Sequence, residues 1–113
     1  MTFRAQGLRA WLLQRLSAAY LALFTILAVG WLLFGEPVDY AAWRQLLGTP
    51  WISVLMALFF MALFFHAWVG IRDVLMDYVP HLKLRLFLLI AVAVLLLALA
   101  IWSALTLVSV YRP

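Results

Sequence analysis

The sequence predicts an all-α integral membrane protein with three transmembrane helices, its N-terminus cytoplasmic and its C-terminus periplasmic. Composition comes first: of 113 residues, 70% are hydrophobic and 11% charged, with a mean hydropathy of +1.16. A soluble chain this short has too little interior to hide so much apolar surface. Second, the runs Leu16 to Phe34, Trp51 to Ile71 and Leu86 to Val110 contain no Asp, Glu, Lys or Arg. At about 1.5 Å rise per residue each spans most or all of the roughly 30 Å of a bilayer's hydrocarbon core. Third, the basic residues gather at the ends of those runs.

Inside lipid only helices and closed barrels satisfy the backbone, and continuous rather than alternating apolarity selects helices. Arg4, Arg9 and Arg15 precede the first run with no acid among them. That run is long, keeps its basic flank and lacks a small-residue cleavage site, so a removed signal peptide is not expected. Gly35-Glu36-Pro37 ends it, because Gly permits a C-terminal turn and Pro cannot continue the ladder. Asp39 is placed to cap a short surface helix through Leu47, with Tyr40 and Trp43 at the interface. Thr49-Pro50 reads as an N-cap and a first-turn proline opening the second span. Pro80 ends whatever continues past Ile71, and the third helix starts near His81 or Leu82 with no good N-cap. The spans fall at approximately 16–34, 51–74 and 84–110, within one membrane domain over 1–113.

Orientation follows from Lys and Arg. The outer loop carries only Arg44, beside Glu36 and Asp39, whereas the second loop and its margins hold Arg72, Lys83 and Arg85, and the tail Arg112. The positive-inside rule puts the N-terminus and second loop in the cytoplasm. The net charge of +4 is thereby accounted for by headgroups and topology, and no nucleic-acid partner is implied. With no cysteine, the chain has no disulfide, thiolate metal site or iron–sulfur cluster.

His66 is the one ionisable residue within the second run. An imidazole in lipid is costly unless ligated or hydrogen-bonded, and neutral imidazole is the commonest ligand for haem iron. Helical spacing sets Phe59, Ala62, Leu63, Val69, Gly70, Asp73 and Asp77 on its stripe. Small Ala62 and Gly70 either leave room for a flat macrocycle or let two helices approach closely. The ring is accordingly either a ligand or a hydrogen-bonded packing residue. One span histidine supplies one axial ligand, and a second would come from another polypeptide or another copy. At the inner end, Asp77-Tyr78 places a phenol at the membrane edge. There it is either an ordinary interfacial residue or a hydrogen-bond donor to a quinone headgroup, with Asp77 beside it to orient it.

The segment His66-Ala67-Trp68-Val69-Gly70-Ile71, with the eleven-residue step from His66 to Asp77-Tyr78 and then Leu84-Arg85-Leu86, resembles a family signature. It is similar to the small hydrophobic membrane anchor of succinate dehydrogenase (respiratory complex II). Weaker similarity runs from Gln14-Arg15 through the first span, and from Gly35-Glu36 to Trp43. The resemblance implies that His66 is one axial ligand of haem b, the other coming from a second anchor, the cytochrome b subunit. It implies that Tyr78 hydrogen-bonds ubiquinone, that Asp77 shapes that site, and that Arg15 lies near the haem propionates. A guanidinium fork suits a carboxylate, although a snorkelling interfacial arginine reads the same way. Arg9-Ala10 stand where some relatives show His-Asp. Flavoprotein and iron–sulfur subunits are the implied soluble partners, and the bacterial inner membrane the implied location. The competing readings are a fumarate reductase anchor, a cofactor-free structural anchor, and a channel or transporter subunit using His66 and Asp73.

Overall fold

The structure is a computed structural model that describes the backbone of residues 2–111 and the side chains of residues 7–111. Arg112 and the side chain of Arg4 lie outside the described residues. The chain is helical throughout: α1 (Thr2–Phe34), α2 (Tyr40–Gly48), α3 (Pro50–Tyr78) and α4 (Leu82–Val110). Three of these, α1 from Gly7 onward, α3 and α4, are long and apolar enough to cross a membrane.

Two boundaries differ from the hydropathy reading. The first helix begins at Thr2, well before Leu16, because no proline interrupts its leading turns and hydropathy marks only the lipid-facing part. Its 33 residues reach about 50 Å at 1.5 Å each, well beyond a hydrocarbon core. The second continues to Tyr78 and ends where Val79 and Pro80 interrupt it.

The connections are short and tied down. Gly35 N–H donates to the Trp31 carbonyl at 2.9 Å, and a Cβ on Gly35 would stand 2.5 Å from that same oxygen. No glycine has positive φ among the described residues, so Gly35 is required by close approach and not by a left-handed turn. Asp39 caps α2 as expected, its carboxylate accepting from Ala42 N–H at 2.8 Å. Thr49 occupies the N-cap position of α3, but its hydroxyl makes no cap bond there. It donates back to the Gln45 carbonyl of α2 at 3.0 Å, and Ser53 Oγ donates to the Leu47 carbonyl. The hydroxyls thus bind α2 to the start of α3, leaving Pro50 to open that helix. His81 sits at the N-cap of α4 without a side-chain bond.

α3 is the central element. It packs against α1 on one side and α4 on another, α2 lies against both α3 and α4, and among the described residues the backbones of α1 and α4 do not come close. Phe24 stacks on Phe59 with ring centroids 4.5 Å apart, and Trp31 meets Trp43 edge-on at 6.1 Å. Among the described residues only Val69, Leu107 and Ser53 are buried side chains. A chain this apolar with so few buried faces leaves those faces for lipid and for other polypeptides. The hydroxyls of Ser103, Thr106 and Ser109 each donate to carbonyls of their own helix.

Candidate functional site

α1 and α3 run antiparallel, which sets the basic start of α1 beside the C-terminal half of α3. At that level Ser17 Oγ lies 3.1 Å from His66 Nδ1. The same hydroxyl donates to the Gln14 carbonyl at 3.0 Å, and the Gln14 side-chain amide donates to the His66 carbonyl at 3.3 Å. Both the ring and the main chain of His66 are therefore tied to α1. The other amide atom, Gln14 Oε1, is buried without a partner. An unpaired acceptor in a low-dielectric setting is costly.

Beside the ring opens a cleft of about 380 Å³, with Gly7, Ala10, Gln14, Arg15 and Ala18 on α1 facing His66, Val69 and Asp73 on α3. The space comes from the small residues of α1 rather than from the stripe on α3. A Cβ on Gly70 would meet Gln14 Nε2 at an ordinary 3.8 Å, and Phe59 faces Phe24. At both positions the stripe serves the approach of α1. Arg15 joins His66 at the cleft, its guanidinium carbon 5.6 Å from the centre of the Trp11 ring. Such a cation–π contact contributes about 0.5–1 kcal/mol at an exposed site and steadies the side chain. Ala10 lines the cleft and Arg9 does not. Asp73 sits at the rim paired with its neighbour Arg72 at 3.3 Å, an exposed pair of little energetic weight.

Asp77 and Tyr78 are not part of this cleft. They close α3 one turn beyond Asp73, both exposed, and Tyr78 is about 18 Å along the axis from His66 at 1.5 Å per residue. No group of three or more His, Asp or Glu side chains converges among the described residues, so a bare ion would find no chelate here. Sequence reading brought His66 and Arg15 forward but passed over Gln14, Ser17 and Trp11. The signal available was the pair Gln14 and Ser17, two polar side chains one turn apart at the mouth of an apolar run.

Three membrane-crossing helices, one of them carrying a histidine that opens on an interhelical cleft, and faces left unburied on every side define a membrane subunit of a larger assembly. The family model described as succinate dehydrogenase/fumarate reductase transmembrane subunit matches residues 2–108, and the chain belongs to that family. It is similar to the succinate dehydrogenase hydrophobic membrane anchor subunit of Coxiella burnetii (strain RSA 493 / Nine Mile phase I), at 26% identity over 98 residues, covering 87% of this chain and 85% of that relative. The His66 to Tyr78 segment pointed to this family, and a multi-pass membrane protein is what both the helices and the family describe.

Proposed function

We propose that the chain is the hydrophobic membrane anchor of a succinate:ubiquinone oxidoreductase. In this reading it lies in the bacterial inner membrane with its N-terminus cytoplasmic. It pairs with a cytochrome b anchor and holds the iron–sulfur and flavoprotein subunits at the cytoplasmic face. The observation that carries the reading is that His66 and Arg15, far apart in sequence, share one cleft.

The residues present fit half of a haem b site. His66 would offer one imidazole nitrogen to the iron, and another polypeptide would supply the second ligand. Arg15, steadied by Trp11, offers a guanidinium fork to a propionate. Gly7, Ala10 and Ala18 leave flat space beside the ring. When bound, haem would supply a one-electron redox centre. Tyr78, exposed at the end of α3, donates its phenolic hydrogen to a ubiquinone carbonyl, and Asp77 orients it. The antiparallel helices bring Arg9, Arg15, Arg72, Lys83 and Arg85 to the end that carries Tyr78, which supports a cytoplasmic assignment for that end. Succinate oxidation is preferred over fumarate reduction because the similar Coxiella subunit bears the succinate dehydrogenase name.

The test is the haem content of the purified complex with His66→Ala. Loss of the haem absorbance while the subunits stay together is the expected result. Wild-type haem content and spectrum in that variant would remove His66 from the site and leave a cofactor-free anchor.

A further inference from the structure

Ser17 Oγ carries a single hydrogen and has two neighbours in reach, the Gln14 carbonyl at 3.0 Å and His66 Nδ1 at 3.1 Å. A carbonyl only accepts, and a helical serine habitually returns its hydroxyl hydrogen to the carbonyl one turn back. With that hydrogen on Gln14, the oxygen presents its lone pairs to Nδ1, and the contact is a hydrogen bond only if Nδ1 carries the imidazole proton. The opposite assignment, the hydroxyl hydrogen turned to a bare Nδ1, uses one contact instead of two. It would also put the imidazole proton on Nε2.

We infer that Ser17 is a positioning residue for His66: its hydroxyl accepts the Nδ1 hydrogen, fixes the ring as the Nδ1–H tautomer, and leaves the Nε2 lone pair free as the metal donor. The inference rests on the haem-ligand reading above and adds the residue that makes the ligand atom available. Gln14 acts beside it by bonding the His66 carbonyl, so main chain and ring are held from the same helix. An acceptor on the distal nitrogen also raises the basicity of a ligating imidazole, which favours the ferric state.

The experiment uses the whole complex carrying Ser17→Ala, Ser17→Thr or Ser17→Cys, with His66→Ala as reference. Haem retention, the largest g-value of the ferric haem and its midpoint potential are measured in each. Ser17→Ala is expected to speed haem loss to an acceptor protein by about tenfold, the lower end for loss of a partner behind a metal ligand, to shift the g-value, and to raise the potential. Ser17→Thr keeps a hydroxyl and restores all three. Ser17→Cys, a weaker acceptor of similar shape, shifts them in the same direction and serves if Ser17→Ala does not assemble. A serine that only packs would change assembly without moving the g-value or the potential of the haem that remains. Wild-type values in Ser17→Ala or Ser17→Cys, with haem lost in His66→Ala, overturn the positioning role and leave the ligand reading standing. Unaltered haem in His66→Ala overturns both.

Discussion

The Gln14 side chain spans the α1–α3 interface to the carbonyl of His66 at 3.3 Å, while its own oxygen is buried with nothing to accept. One amide thus fastens the two helices through its nitrogen alone.

Gln14→Leu should cost about 1 kcal/mol, because one modest hydrogen bond is lost while an unsatisfied oxygen goes with it. Gln14→Glu should cost at least about 2 kcal/mol, since it adds a charge at a buried position and removes the donor to His66. Thermal unfolding of the detergent-solubilised complex checks the order. A Glu variant as stable as the Leu variant would mean that a cation from a partner already faces this position.

Gly35→Ala should destabilise the end of α1 by about 1–3 kcal/mol, as the new Cβ would press on the Trp31 carbonyl. Gly30→Ala has nothing within 4 Å to meet, so it should be neutral or gain up to about 1 kcal/mol in helix propensity. Comparing the melting temperatures of the two variants separates close approach from a general intolerance of substitution in α1.

Asp39→Ala removes the carboxylate that accepts from Ala42 N–H. A cost of about 0.5–2 kcal/mol is expected, confined to α2. Hydrogen exchange of the Ala41 to Trp43 amides should accelerate accordingly, with α3 amides unchanged and Asp39→Asn retaining most of the protection.

Tyr78→Phe keeps the ring and removes the donor. Quinone reduction by the complex should fall at least about tenfold, in the range of a lost positioned hydrogen-bond donor, while succinate oxidation by an artificial acceptor persists. Equal loss of both activities would report failed assembly instead, and unchanged quinone reduction would remove Tyr78 from the quinone site.

The three spans were legible because hydropathy alone separates lipid from water, and Asp39 was legible because a cap is a local device. The beginning of α1 was not, since apolarity stops at the membrane edge while a helix runs on until something breaks it. Thr49 shows a related limit: its position at the head of α3 could be read, but its hydroxyl chose Gln45 behind it. At the site, His66 stood out by its cost in lipid and Arg15 only through the family resemblance. Ser17 and Gln14 remained hidden because the register of α1 against α3 is not written in the periodicity of either helix. The same register turned Gly70 toward Gln14, so the room beside the ring had to come from α1.

That α3 stands between α1 and α4, whose backbones do not come close among the described residues, gives the chain an order in time. Synthesis delivers α1 first, yet its only helical neighbour among the spans is the later α3. In lipid, helices insert before they associate, so an early chain holds its serine in one isolated helix and its histidine in another. The environment of His66 comes into being with the docking of α1, and any cofactor that needs that environment must arrive after it.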